Sequence, residues 1–330
     1  MKFPTHSLVI LIISSLLWLA CGGGQSGEGE QSNNETEQAE AETGLAALEG
    51  SGRSVQLTEI PVKSPESVIS DGEFFYVSNV GEELKPSEVD GDGFIMKVDG
   101  DGNVVEEQFI EGLDAPKGSV IYDGTLYVAD INKVKAFSLA DGAAAGEIDF
   151  SKTGTMFLND LVMLADGKMA VSATDINRIY EVDPAAGEYR EIQTRPTLQG
   201  PNGLWYEAGD ETLYVVTYPG EPTGRLYAVE LSEKDGDAYN ATPIGGYTGM
   251  LDGLAVVGDY AFISDWNRQT VVIMNMETGQ VSGSGLPNQV KGPADFYFDA
   301  QGGEFWLPGM QENTISIQTL PVGTGGSNEG

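Results

Sequence analysis

One pattern recurs six times along this chain and limits what it can fold into. A short loop leads into an apolar strand, then a tight turn rich in Gly and Asp, then a second apolar strand with a polar end. The clearest copy is Leu251-Asp252-Gly253-Leu254-Ala255-Val256-Val257, followed by the Gly258-Asp259 turn and Tyr260-Ala261-Phe262-Ile263-Ser264-Asp265. Other copies open at Pro65-Glu66, Pro116-Lys117, Leu158-Asn159, Pro201-Asn202 and Pro293-Ala294. Register marks on Glu66, Lys117, Asn159, Asn202, Asp252 and Ala294 are separated by 51, 42, 43, 50 and 42 residues. A period in the forties, with about four short strands per unit, is the period of a β-propeller. No single sheet of this kind buries both its faces, so the units must close into a ring. The fold class is therefore all-β, a six-bladed β-propeller spanning residues 54–320. The two longer intervals carry insertions, at 79–93 and 219–224, rich in charge, Pro or Gly as loops are.

Ring closure has two solutions. The alternating segment 54–60 either becomes the outermost strand of the sixth blade or lies on the surface as loose chain. The first is expected, since it ties the two ends of the ring together.

The chain before the ring reads as an export and tethering device. Residues 1–20 have a positive start at Lys2 and an apolar run from Leu8 to Leu19, the length of a signal peptide and short for a span. The run ends in Leu17-Trp18-Leu19-Ala20-Cys21-Gly22, which resembles a bacterial lipoprotein box. Cys21 is the only cysteine and stands where such signals place the acylated residue. Residues 21–53 hold Gly, Ser, Gln, Asn and Glu with no aromatic residue, a composition too polar to bury a core. They form an acidic tether in this reading, and 321–330 a flexible tail. The expected location is the bacterial cell envelope, on the periplasmic face or the cell surface, held in membrane lipid by acylated Cys21.

Charge and rare residues remove whole classes of function. Lys and Arg number 17 against 51 Asp and Glu, a formal charge of -34, so nucleic acid is excluded as a partner. The single histidine, His6, lies in the signal segment. The exported protein then has neither His nor free Cys, which removes Ser-His-Asp and Cys-His machinery and histidine-ligated zinc. Carboxylates, amides and a hard metal are left to do any chemistry.

The register positions are where such a metal fits. Equivalent positions in successive blades face one another across the central channel, and each mark precedes an innermost strand. Glu66, Asn159, Asn202 and Asp252 bring side-chain oxygens from four blades to one mouth. Such oxygens ligate a hard divalent cation, calcium first, with zinc, manganese or magnesium as alternatives. Any one of them alone reads as a turn residue, since Asn-Gly and Asp-Gly are ordinary turn dipeptides. Their shared register carries the cation reading. Asp295 follows the sixth mark and reads as a structural acceptor at the rim. Asp130 and Asp265, both ending second strands, read as blade-building hydrogen-bond acceptors. Trp205, Trp266 and Trp306 read as core, whereas Phe157 should approach the mouth.

Pro65-Glu66, Phe157-Leu158-Asn159-Asp160, Pro201-Asn202-Gly203-Leu204 and Leu251-Asp252-Gly253-Leu254 together resemble the SMP-30/gluconolactonase/LRE-like superfamily, with a more distant likeness to paraoxonases and NHL-type propellers. The resemblance implies metal ligation by Glu66, Asn202 and Asp252, with Asn159 beside them holding substrate or water. It also implies hydrolysis of a small-molecule lactone or ester, with Asn159 and Asp252 as catalytic residues. Two departures stand out. Sugar lactonases of the family carry an Arg where this chain has Phe157, and Lys117 fills a position usually small or apolar. Both become expected substrate contacts, and the substrate is expected to be less polar than gluconolactone. Lys117 also reads as a partner for Glu66, as positive charge at the edge of the metal pocket that weakens binding, or as a solvent-facing head on a flexible stem. A rival reading keeps the calcium as a structural pin in a tethered binding module whose acidic loops engage a protein partner, because a propeller scaffold does not fix function.

Overall fold

The computed structural model describes residues 54–286 and 288–320. The export signal, Cys21, the tether and the C-terminal tail all lie outside the described residues. Strand β1 (Ser54–Leu57) precedes the first blade. Blade 1 comprises β2 (Pro65–Ser70), β3 (Phe74–Asn79), β4 (Gly93–Asp99) and β5 (Val104–Leu113). Blade 2 follows with β6 (Pro116–Tyr122), β7 (Thr125–Asp130), β8 (Lys133–Ser138) and β9 (Ala144–Asp149). Blade 3 is β10 (Leu158–Met163), β11 (Met169–Ala173), β12 (Arg178–Asp183) and β13 (Glu188–Glu191). Blade 4 gains a short edge strand, β14 (Thr194–Arg195), beside β15 (Pro201–Glu207), β16 (Thr212–Thr217), β17 (Gly224–Asp235) and β18 (Ala238–Gly249). Blade 5 is β19 (Leu251–Val257), β20 (Tyr260–Asp265), β21 (Thr270–Asn275) and β22 (Val281–Gly283). The last three strands are β23 (Tyr297–Asp299), β24 (Glu304–Gly309) and β25 (Thr314–Thr319).

The sixth sheet runs β1-β25-β24-β23, so the first strand of the domain completes the last blade. Val55 pairs with Ile317 and Leu57 with Ile315 in an antiparallel ladder. Segment 54–60 thus divides in two: its first four residues form the closing strand, and the rest turns toward blade 1. Leu57 fills the space above Gly102, where a Cβ would stand 2.7 Å from its Cδ1. That turn requires φ of +86°, which glycine alone adopts without strain.

Among the described residues six apolar clusters lie one at each interface between neighbouring blades, and a small seventh lies at the ring's mouth. Tyr76, Ile95, Leu126 and Val128 join blades 1 and 2; Val134, Phe150, Leu158 and Val171 join blades 2 and 3. Ala170, Ile179, Leu204 and Val215 join blades 3 and 4, and Val216, Leu226, Leu254 and Ile263 join blades 4 and 5. Phe262, Ile273, Phe296 and Phe305 lie between blades 5 and 6. At the closure, Val68, Val77 and Met96 of blade 1 meet Trp306, Ile315 and Ile317 of blade 6. There Phe75 stacks on Trp306 with ring centroids 3.7 Å apart. Trp306 is core, as its strand position implies.

The polar strand ends build blades as expected. Asp130 accepts from the Asp114 and Ala115 amides at 3.1 and 2.8 Å and pairs with Lys135 Nζ at 2.6 Å. Asp265 accepts the Tyr247 hydroxyl at 2.8 Å.

Closure by β1 has a measurable consequence. A domain beginning at residue 58 loses a four-residue ladder and the Leu57 contact, roughly 2–4 kcal/mol from hydrogen bonds and apolar burial. Its melting temperature should fall by about 5–10 °C relative to one beginning at residue 54. Equal melting temperatures by scanning calorimetry would mean that β1 does not close the ring.

Candidate metal centre

Each inner strand begins at the same face of the ring, and each connection from second to third strand returns to that face. The connections 80–92, 131–132, 174–177, 218–223, 266–269 and 310–313 therefore surround the channel mouth. The strand pairings of β2, β6, β10, β15 and β19 all slip at the register marks: between Pro65 and Ser67, Pro116 and Ser119, Leu158 and Leu161, Pro201 and Leu204, and Leu251 and Leu254. A bulge re-aims side chains and bends its strand. Five blades use the same irregularity at the same place, which brings the marked residues to the mouth.

The bulges also explain the residues that follow the marks, namely Ser67, Gly118, Asp160, Gly203, Gly253 and Asp295. Here the blades approach most closely. A Cβ on Gly118 would collide with Asp160, one on Gly203 with the Asp252 carbonyl, and one on Gly253 would lie 2.9 Å from the Ala294 carbonyl. The side chains that do fit bridge from blade to blade. Asp160 Oδ2 accepts the Leu204 amide at 2.7 Å, and Asp295 Oδ2 accepts the Ser67 hydroxyl at 2.6 Å. Ser264 donates to the Ala294 carbonyl at 3.0 Å.

Glu66, Asn159, Asn202, Asp252 and Phe157 line one cavity of about 690 Å3 at this mouth. All four oxygen-bearing residues are buried. Three of their oxygens, Glu66 Oε2, Asn202 Oδ1 and Asp252 Oδ1, are buried with no hydrogen-bond partner. Asn202 Nδ2 donates to the Leu251 carbonyl at 3.3 Å, which leaves its Oδ1 as the free end of the amide. Unpaired buried acceptors cost about 1–3 kcal/mol each, and more when charged. Their coincidence at one spot, from blades 1, 4 and 5, fits a missing positive partner.

Electrostatics at the mouth agree. Burial, followed by the nearby Asp295 carboxylate, pushes Asp252 up to about 7. Burial pushes Asp295 up to about 6. Glu66 is held well above the usual carboxylate range by burial and then by Asp252, and Asp160 by burial and then by Asp295. Among the described residues no group of three or more His, Cys, Asp or Glu is arranged to hold a metal ion. A cation at this mouth would therefore need the Asn oxygens beside the two carboxylates, a hard set suited to calcium.

Lys117 is buried near enough to Glu66 for their charges to interact. It is 0% exposed, so it is not a solvent-facing head, and it does not line the cavity. Its Nζ donates to the Ala115 carbonyl at 2.9 Å and lies 4.5 Å from the centre of the Phe157 ring. Phe157 thus stands between the ammonium and the cavity. Burial lowers Lys117 to about 8, opposed by the charge of Glu66. Its ammonium is a fixed counter-charge in the channel wall. The sixth mark, Ala294, carries no oxygen because it joins Val80, Ala115, Ile131 and Met310 in a small apolar cluster on that side of the mouth.

Sequence reasoning missed several cavity residues. Trp266, read as core, lines the cavity, as do Tyr218, Met310, Leu84 and Pro86. Trp266 and Tyr218 each stand one residue beyond the end of a second strand, and that place in the repeat was the available signal. Asp160, beside Asn159, ties blade 3 to blade 4.

No family model matches the sequence, and no curated protein does. Solved structures do match in fold. A gluconolactonase from Xanthomonas campestris aligns with a TM-score of 0.62 at 17% identity, covering 84% of this chain and 92% of that one. Virginiamycin B lyase from Staphylococcus aureus aligns with a TM-score of 0.55 at 16% identity, covering 82% and 99%. An auxiliary nutrient binding protein from Bacteroides thetaiotaomicron aligns with a TM-score of 0.59 at 8% identity, covering 78% and 69%. The described residues form a six-bladed β-propeller similar in fold to these structures.

Proposed function

We propose that the protein is a divalent-metal-dependent hydrolase of lactones or related esters, with calcium as the resident cation. The observation that carries this reading is the set of three partnerless buried oxygens on Glu66, Asn202 and Asp252. These residues would hold the ion, with Asn159 beside it. When bound, the cation supplies polarisation of the substrate carbonyl and charge stabilisation as the oxyanion develops. Asn159 and Asn202 orient the water and the substrate. Asp252, buried at the cavity floor, is placed to take a proton from the attacking water, in a role set by geometry first and basicity second. The bridging bonds of Asp160, Ser264 and Asp295 hold the ligands from separate blades in register. The likeness of fold to a gluconolactonase is consistent with this chemistry, while the likeness to a lyase and a nutrient binding protein shows that the scaffold alone does not select it.

Calorimetric titration of EDTA-stripped protein should give one calcium per chain. Asn202→Ala and Asp252→Ala should each weaken binding by about tenfold or more, equivalent to about 1.4 kcal/mol. Unchanged affinity in both variants removes the metal centre. Calcium binding without cleavage of any member of a broad lactone and ester panel would instead favour a binding module pinned by calcium.

The raised Asp252 gives the metal-free protein a pH dependence. Its folded value is about 7 against an ordinary 3.8. Below the lower value both states hold the proton and the stabilisation is complete. As pH rises toward the higher value the unfolded chain ionises first, so stability falls between about pH 4 and pH 7. Denaturant unfolding in EDTA should show this decline, and Asp252→Asn should lessen it while leaving the part due to Glu66, Asp160 and Asp295. A metal-free stability that rises with pH over this window contradicts the assignment.

Phe157 offers apolar area where an Arg would donate several hydrogen bonds. A sugar lactone would leave hydroxyls unmatched there, at about 1–3 kcal/mol for each one buried. The parent should therefore favour an alkyl or aryl lactone over gluconolactone in kcat/KM, and Phe157→Arg should shift the ratio toward gluconolactone. A parent that prefers gluconolactone, with the ratio unmoved in the variant, refutes this specificity.

A further inference from the structure

Blade 4 carries most of its extra length in β17 and β18, of 12 residues each, and not in the expected insertion at 219–224. The connections between second and third strands are nonetheless longest in blades 1 and 4, at 80–92 and 218–223. In a ring of six those blades are opposite one another. Loops at equivalent positions on opposite blades reach over the mouth from opposite sides. The first brings Leu84 and Pro86 to the cavity, the second Tyr218 and Pro219. Trp266 extends the second side, its ring meeting that of Tyr218 edge to face with centroids 6.5 Å apart. Phe157 lines the same cavity.

The first loop has a built shape. Lys85 pairs with Glu83 and Glu88 at 2.8 and 2.7 Å, and Asp92 accepts the Glu82 amide at 2.9 Å. Within this charged loop Leu84 remains 39% exposed while lining the cavity. An apolar partner in the cavity would gain by removing this surface from water.

Several polar groups around Glu66, Asn202 and Asp252 are already engaged. Asp175 Oδ1 accepts the Thr155 hydroxyl at 2.6 Å and its Oδ2 the Met156 amide at 2.8 Å. Thr174 donates to the Pro201 carbonyl at 2.8 Å, and Asn177 Oδ1 accepts the Gly200 amide at 2.7 Å. Gln199 Nε2 donates to the Thr197 carbonyl at 3.4 Å. These groups spend part of their hydrogen-bonding capacity on the protein itself, whereas the apolar walls are open.

We propose that the opposed connections form an apolar cleft that receives the hydrocarbon chain of a lactone or ester, with Leu84 and Pro86 on one wall and Tyr218, Pro219 and Trp266 on the other. Its carbonyl end lies over Glu66, Asn202 and Asp252. This rests on the hydrolase reading for the placement of the reacting end, but not for the existence of the cleft. The substrate class is thus an alkyl-substituted lactone or a fatty acyl ester.

Non-hydrolysable 5-alkyl γ-lactams with chains of one to eight carbons test the cleft by equilibrium binding, measured calorimetrically in calcium and again in EDTA. Affinity should rise about threefold to fourfold for each added methylene until the walls are filled. The slope should survive EDTA, and gluconolactam should bind no better than the unsubstituted ring. Leu84→Ser and Tyr218→Ala should each reduce the slope to about twofold or less per methylene. Leu84 is exposed on a loop, so its variant reports on the wall whatever Tyr218→Ala does to folding. A flat chain-length profile in the parent, or a Leu84→Ser profile equal to the parent's, overturns the cleft. Lactone turnover run in parallel separates the two claims. Turnover with a flat lactam profile defeats the cleft and spares the hydrolase; a steep profile without turnover does the reverse.

Discussion

A four-stranded blade has two apolar faces and no means of covering both, so every blade depends on its neighbours. The six clusters between blades are the physical expression of that constraint. The last of them forms only when blade 6 meets blade 1, and the β1–β25 ladder makes that meeting permanent. The mouth inherits the same dependence. Glu66, Asn159, Asn202 and Asp252 are far apart in the chain and meet only because the ring is shut. A centre assembled from four blades is absent in the unfolded chain, so whatever binds it stabilises the ring as a whole.

The centre works against the fold that holds it. Four buried or half-buried carboxylates face one another with Lys117 as the only ammonium described beside them, and each is pushed toward its protonated form. Hydrogen bonds from neighbouring blades absorb Asp160 and Asp295. Glu66 and Asp252 keep open oxygens. Asp160 and Asp295 are thus spent on ties between blades, whereas Glu66 and Asp252 face the cavity with oxygens unpaired.

The periodicity made the fold legible because register in a propeller is a sequence distance: equal steps along the chain become equal positions around the ring. Glu66, Asn159, Asn202 and Asp252 were readable for that reason, and the structure places all four on one cavity. Lys117 shared the register but not the role. Its place under Phe157 depends on how a side chain of one blade packs against the next, which no repeat encodes. Trp266 illustrates the opposite failure. Large aromatics next to strands are usually core, as Trp306 is, yet Trp266 follows the strand end that faces the mouth. The insertions were visible as loops, but their direction followed only from strand order and the opposition of blades 1 and 4. The glycines after Lys117, Asn202 and Asp252 look like turn residues in the sequence. In the structure they are points where adjoining backbones leave no room for a Cβ.

The central claim is that the partnerless oxygens of Glu66, Asn202 and Asp252 surround one hard cation. Anomalous diffraction from crystals grown with calcium, and again with a lanthanide in its place, tests it most directly. The account requires a single strong peak at the channel mouth, with one oxygen of each of these three residues at about 2.3–2.6 Å in the calcium form. A mouth without a peak, with those oxygens hydrogen-bonded to ordered water, would contradict it.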